Sequence, residues 1–127
     1  MIMVAMLGAG IYLIGSVPSA YILVRLVKGV DLREAGTKNV GALNAYHQIG
    51  LWAGLLVLAA DAGKGALAVL FAGLLGIDSP LIIVPAAAVI LGHWYSVFSG
   101  FRGGDGLATL GGVAIALFSV YGAIAVI

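Results

Sequence analysis

No charged side chain occurs before Arg25, and the residues ahead of it form one unbroken apolar run, MIMVAMLGAGIYLIGSVPSAYILV. A helix of ~20 such residues, rising 1.5 Å at each, matches a hydrocarbon core ~30 Å thick. The basic stretch that a cleavable signal peptide carries ahead of its apolar core is missing, so the run reads as a retained span. Comparable runs follow at about residues 49–75, 81–98 and 107–127. With 63% hydrophobic and 9% charged residues and a mean hydropathy of +1.20, the chain lies outside the range of ordinary soluble domains. The runs are too long and too little alternating for barrel strands, and backbone polar groups in lipid must be satisfied within the segment. The expected fold is therefore an all-α integral membrane protein, a single domain with about four transmembrane helices.

Charge sorts the connections. Arg25, Lys28, Arg33 and Lys38 follow the first run and Arg102 follows the third, whereas the second connection, GIDSP, holds only Asp78. The positive-inside rule places the first and third connections in the cytoplasm and both ends of this chain outside. A net charge of +1 gives no overall field that would recruit nucleic acid, and the absence of cysteine removes thiol nucleophiles and Fe–S clusters. Two histidines in separate segments and scattered carboxylates match no metal-ligand spacing. The last run is still apolar at Ile127, as in a chain that continues.

Both cytoplasmic connections are rich in glycine. The first reads AGTKNVGALN: Gly36 and Gly41 permit close backbone approach, while Thr37, Lys38, Asn39 and Asn44 supply donors for an anion. The second, FRGGDGLATLGG, sets Arg102, Gly103, Gly104 and Gly106 before a helix whose first amides and dipole face an anion. A nucleotide P-loop is excluded, because neither the GK[ST] ending nor a preceding strand is present. A plain connection between helices fits either loop equally well on composition alone.

Asp61 and Lys64 are the only charges inside an apolar run, and their i,i+3 spacing puts them on one helix face. A charge at mid-span costs about 2.5–3.5 kcal/mol on insertion scales, so the pair should face a partner or a cavity. It serves either as a neutralising pair that fixes the helices or as the polar wall of a substrate pocket. His93 sits near the cytoplasmic end of the third run beside Trp94 and Tyr95, placed to donate to a phosphate or simply to pack. Ser16 and Pro18 in GSVPSAY should kink or open the first helix, with Ser16 able to line a cavity.

Four phrases, in order, resemble the bacterial acyl-phosphate-dependent glycerol-3-phosphate acyltransferases: GSVPSAY, GTKNVGALN for a GSGNxGATN-like phrase, DAGKG for DxxKG, and GHWYSVFSGFRGGDGLAT for a GHxxPxFxxFxGGKGVAT-like phrase. The resemblance covers residues 15–109. It implies a membrane enzyme that moves a fatty acyl group from acyl phosphate to glycerol 3-phosphate, giving lysophosphatidic acid, with no cofactor and with membrane lipids around it. By position it implies catalytic roles for Asp61, Lys64 and His93. It also implies phosphate-binding roles for Thr37, Lys38, Asn39, Gly41, Asn44, Arg102, Gly103, Gly104, Gly106 and Thr109, with Ser16 and Asp105 elsewhere in the pocket. Lys38 stands where the phrase has glycine, Leu43 where it has threonine and Ser96 where it has proline. Asp105 stands where it has lysine, reversing the charge at a phosphate loop. The sequence leaves open whether Arg102 or Lys38 compensates, whether Asp105 binds a glycerol hydroxyl, or whether it recruits a bridging cation. The resemblance implies about seven spans and a later cytoplasmic phrase rich in Arg, His, Asn and Glu, so the chain reads either as the N-terminal portion of a seven-helix bundle or as a divergent, truncated relative. A non-enzymatic membrane protein that binds or carries a phosphorylated lipid or another anion is the alternative that the same residues allow.

Overall fold

The computed structural model describes residues 1–77 and 80–126, with 120–126 by backbone alone. Asp78, the lone charge of the second connection, and Ile127, the end of the last expected span, lie outside the described residues. Every regular element among the described residues is helical: α1 (Ile2–Gly15), α2 (Ser19–Lys28), α3 (Ala42–Ile49), α4 (Leu51–Leu74), α5 (Ile83–Trp94) and α6 (Leu107–Val126), with 3₁₀ turns at Leu32–Glu34 and Val97–Ser99.

The first run breaks where GSVPSAY predicted. Pro18 has no amide hydrogen and drives Val17 away from helical geometry, so α1 stops and α2 starts anew at Ser19. The second half runs past the expected end at Val24 to Lys28. Arg25 and Lys28 lie in its last turn, where their charges complement the helix dipole, and Gly29 closes it at φ 73°. The first connection is correspondingly shorter than its sequence suggested. Its C-terminal part folds as α3, which buries Asn44 and Ala45 and exposes Tyr46 and His47.

Ile2–Lys28 and Leu51–Leu74 are long and apolar enough to cross a bilayer. The third expected span is shorter than read: α5 has 12 residues, about 18 Å of helix against a hydrocarbon core of ~30 Å. Large apolar side chains such as Met6, Leu67, Phe71, Ile83, Ile115 and Phe118 are exposed, the surface expected of helices facing lipid.

Two packed regions hold the site between them. Ile11, Val69, Val89 and Val113 join α1, α4, α5 and α6, while Val24, Leu32, Ala45 and Val57 anchor the first connection against α2 and α4. The α4–α6 seam is closed by glycine. A Cβ on Gly65 would strike the Thr109 carbonyl, and one on Gly112 the Ala62 carbonyl, the small-residue contact that membrane helices use to approach closely. Gly112→Val should therefore lower stability by about 1–3 kcal/mol, seen as a lower thermal unfolding midpoint in detergent.

Candidate active site

Two carbonyls at the break in the first helix accept side-chain bonds, and that of Val17 also accepts from the Ser19 N–H at 3.0 Å. Ser96 Oγ donates to the Ser16 carbonyl, and Lys64 Nζ donates to the Val17 carbonyl at 3.1 Å. Lys64 also lies 3.2 Å from Asp61 Oδ1, and His93 Nδ1 approaches the same oxygen to 3.9 Å. Asp61, Lys64 and His93 are buried. The trio expected from sequence is thus assembled from α4 and α5 beneath the break, where each charge needs its neighbour because an unpaired one would be costly in so dry a place. Thr109 is part of the same scaffold: its hydroxyl donates to the Asp61 carbonyl at 3.0 Å, tying α6 to α4. Ser16 lines a small space with Lys64, His93, Gly103 and Gly104, and its buried Oγ has no hydrogen-bond partner.

The two glycine-rich connections meet over this trio. In the first, Asn44 is the organiser: its amide nitrogen donates to the carbonyls of Ala35 and Asn39 at 2.9 Å and of Leu32 at 3.4 Å. That nitrogen is spent on the loop itself, a use different from the phosphate contact expected of it. Thr37 Oγ1 accepts from the Asn39 amide at 3.3 Å. Lys38 holds φ 64°, a left-handed conformation unusual for a residue with a Cβ, and its side chain is exposed. The glycine in the family phrase at this position suits that backbone without strain.

In the second connection, Gly103 N–H donates to the Trp94 carbonyl at 3.0 Å and Gly104 N–H to the His93 carbonyl at 3.2 Å. These amides, expected to cradle an anion, instead fasten the loop to the end of α5. The reason is space: a Cβ on Gly103 would enter the His93 carbonyl, and one on Gly104 would lie 2.6 Å from the Val40 carbonyl. Gly41 is buried at the start of α3, and Gly106 lies against the Trp94 indole.

Arg102 is also occupied. It is ion-paired with Glu34, and its Nη2 donates to the Arg33 carbonyl at 2.8 Å. Arg33 in turn pairs with Asp31 at 2.7 Å, donates to the Ser99 carbonyl at 3.1 Å and lies 5.0 Å from the Tyr21 ring centre. Asp31, Arg33 and Glu34 thus clamp the two connections together, a role that sequence reasoning missed. The density of opposite charges in DLRE was the only available signal. Hydrogen bonds from Arg33 hold the Asp31 carboxyl down at about 2 from its ordinary 3.8. A carboxyl lowered on folding stabilises above its unfolded value and loses that contribution as it protonates. The clamp should therefore loosen as pH falls from about 4 towards 2, read as faster hydrogen exchange at Arg33 and Glu34 after correction for the intrinsic rate.

Asp105 bridges the connections by a different route. Its Oδ1 accepts from Leu107 N–H at 3.1 Å, capping α6, and its Oδ2 accepts from Asn39 Nδ2 at 3.5 Å. Its carbonyl accepts from Trp94 Nε1 at 2.6 Å. Below lies a cavity of about 160 Å³ whose lining includes Asn39, Gly41, Asp61, His93, Asp105 and Leu107. A second cleft, of about 310 Å³ and almost wholly apolar, runs between α2 and α4 from Val17 and Ser19 past Leu26 and Leu56. No group of His, Asp and Glu suited to a metal ion occurs among the described residues.

The profile of the glycerol-3-phosphate acyltransferase family matches residues 4–127. The chain belongs to this family. Among its acyltransferase relatives, glycerol-3-phosphate acyltransferase 2 of Dehalococcoides mccartyi is 43% identical over 113 residues, 89% of this chain and 53% of the relative. Glycerol-3-phosphate acyltransferase of Bacillus subtilis is 44% identical over 104 residues, 82% of this chain and 53% of the relative. A crystal structure of PlsY, an integral membrane glycerol 3-phosphate acyltransferase, in its glycerol 3-phosphate form superposes with a TM-score of 0.78 at 38% identity. The match covers 97% of this chain and 64% of that one. The lysophosphatidic acid form gives 0.80 at 37% identity, over 95% and 60%. The chain spans about half the length of the curated acyltransferases that it matches.

Proposed function

We propose that the protein is an integral membrane acyltransferase of phospholipid synthesis, transferring a fatty acyl group from acyl phosphate to the 1-hydroxyl of glycerol 3-phosphate. One observation carries the reading. In the buried Asp61–Lys64–His93 trio, Asp61 and His93 line a polar cavity roofed by the two glycine-rich connections, and Lys64 bonds to Val17, which lines an apolar cleft along α2 and α4. The acyl tail occupies the apolar cleft, its carbonyl stands near Lys64, and the acceptor enters under the connections. The acceptor hydroxyl attacks the acyl carbon, the bond from that carbon to the phosphate oxygen breaks, and the departing phosphate takes the hydroxyl proton. The products are lysophosphatidic acid and inorganic phosphate. Because acyl phosphate is already activated, positioning and charge stabilisation supply the catalysis. The break at Ser16–Pro18 supports this arrangement, since irregular backbone at membrane depth is tolerated where it lines a cavity.

In the bilayer, α1–α2 and α4 make two crossings, and residues 83–99 and α6 complete four of a larger bundle. The positive charges around Arg25–Lys38 and Arg102 set both connections at the cytoplasmic face of the bacterial inner membrane. The test is production of lysophosphatidic acid from glycerol 3-phosphate and palmitoyl phosphate by the chain in lipid vesicles. No product from protein shown to be folded would remove the assignment.

Asp105, where the family phrase has lysine, favours a second reading, a membrane protein that binds or carries a phosphorylated lipid or another anion without transferring acyl groups. Lysophosphatidic acid binding without turnover in the same vesicles would establish it.

A further inference from the structure

The end of α5 is held against the break in the first helix, and Ser96 sits at the junction. Gly15 and Gly92 let the two helices meet backbone to backbone: a Cβ on Gly15 would strike the Val89 carbonyl, and one on Gly92 the Tyr12 carbonyl. Tyr12 Oη donates to the Tyr95 carbonyl at 2.6 Å, and the next residue, Ser96, is buried against buried Ser16. The Ser96 carbonyl accepts from Ser99 N–H at 3.3 Å and from Phe101 N–H at 2.6 Å, which shapes the start of the second connection. Those are backbone bonds that other side chains would also permit. Only the hydroxyl reaches the Ser16 carbonyl. Ser96 stands where the family phrase has proline, which has no hydroxyl, so the phrase itself does not supply this bond.

The carbonyl that Ser96 holds is next to the one that Lys64 uses. Ser16 and Val17 carbonyls belong to consecutive planar peptides joined at the Val17 Cα, so fixing the first limits the swing of the second. The Val17 carbonyl accepts from Lys64 Nζ at 3.1 Å, and the same Nζ lies 3.2 Å from Asp61 Oδ1. Ser16, Val17, Lys64, His93 and Ser96 line one small space. Ser96 lines neither the polar cavity nor the apolar cleft. It therefore acts on a substrate only through the groups that it holds.

We infer that Ser96 is a positioning residue for Lys64. Its hydroxyl pins the Ser16 carbonyl to the end of α5, so the Val17 carbonyl and the ammonium bonded to it keep a fixed place relative to His93. Without that bond the two halves of the first helix can shift at Val17 and Pro18, and Nζ follows them. The inference rests on the acyltransferase reading, because the placement of Lys64 has a rate consequence only where transfer occurs.

Two measurements on the chain in lipid nanodiscs test it. One is turnover of glycerol 3-phosphate with palmitoyl phosphate, and the other is the ¹⁵N signal of the Lys64 ammonium, with Lys28 and Lys38 as references. Ser96→Ala should lower kcat roughly tenfold or more while KM for either substrate stays within about threefold. It should shift the Lys64 signal and leave those of Lys28 and Lys38 in place. Ser96→Thr keeps the hydroxyl, and it should return kcat to within about threefold of wild type and bring the Lys64 signal back. A residue that only stabilised the fold would change the yield of folded protein, with kcat per folded molecule and the Lys64 signal unmoved, and that result would overturn the inference. A fall in kcat with the Lys64 signal in place, or a rise in KM with kcat unchanged, overturns it equally. If Ser96→Ala does not fold, Ser96→Cys, a weaker donor of similar size, takes its place in the same comparison. The two levels separate. Wild-type turnover that Ser96→Ala leaves intact rejects the positioning role alone. No turnover by folded wild type, with the Lys64 signal still shifted in Ser96→Ala, rejects the enzyme reading and confines Ser96 to a tie between helices.

Discussion

Lys64→Ala should abolish acyl transfer and destabilise the protein at the same time, and the two losses can be separated. The substitution leaves Asp61, 2% exposed, without its ion-pair partner, and breaking one side of a buried pair costs about 3–5 kcal/mol. It also removes one of the two donors to the Val17 carbonyl, leaving it only the Ser19 N–H at 3.0 Å. Lost activity in this variant alone would not show what the ammonium does. The informative comparison is Lys64→Met combined with Asp61→Asn, which removes both charges and keeps the volume. Replacing a buried pair by neutral groups is often close to neutral for stability, so the double variant should unfold within about 2 kcal/mol of wild type. Its turnover should nonetheless remain at least ~100-fold down, the scale of losing one preorganised electrostatic contact to the developing charge. Unfolding in detergent and lysophosphatidic acid production measure the two quantities. A double variant that regained both stability and turnover would reduce the pair to a structural role.

How much of this arrangement can be read without coordinates depends on the range of the interaction that makes it. The i,i+3 spacing of Asp61 and Lys64 is local, so their shared face was legible. The break at Ser16–Pro18 was legible for the same reason, because proline acts on its own helix. Helix ends were harder. Arg25 and Lys28 look like the start of a connection, yet they continue α2 because basic side chains suit the last turn and reach outward. The helix α3 was hidden in a polar phrase. ALNAYHQI has too little apolar length to register as a span, and it folds because Ala45 packs on the Val24–Val57 cluster. His93 was legible as a candidate from its place at the end of the third run, but its approach to Asp61 is a tertiary contact that no spacing reports.

The phosphate loops show the limit most clearly. Glycine and basic residues in a connection imply free amides and free cations only if nothing else in the fold uses them. Here α5 ends with carbonyls aimed at Gly103 and Gly104, and Glu34, in a different connection, pairs with Arg102. The register between two distant connections decides both facts, and a single sequence does not encode it in any local pattern. Asp105 looked like a defect in a phosphate loop for the same reason. The structure gives it Leu107, Asn39 and the polar cavity as partners.

The close approach of Gly103 to His93 makes the second large effect. In Gly103→Ala the new methyl group meets the His93 carbonyl and comes within 2.8 Å of the Trp94 carbonyl. These are backbone atoms, so no side chain can rotate away, and the loop must separate from the end of α5. That movement breaks the Gly103–Trp94 and Gly104–His93 bonds and lets the imidazole shift from Asp61. Overpacking of this kind costs about 1–3 kcal/mol, and a displacement of ~1 Å at a reacting group can cost ~100-fold in rate. Turnover should therefore fall far more than stability. Gly111→Ala is the matched control, because the same methyl on the same stretch of chain meets nothing within 4 Å. Inside α6 that change should be neutral or stabilising by up to ~1 kcal/mol, with turnover unchanged. A large loss in both variants would mean that the region simply tolerates no added methyl group. A loss confined to Gly103→Ala places the requirement at the contact between the glycine loop and His93.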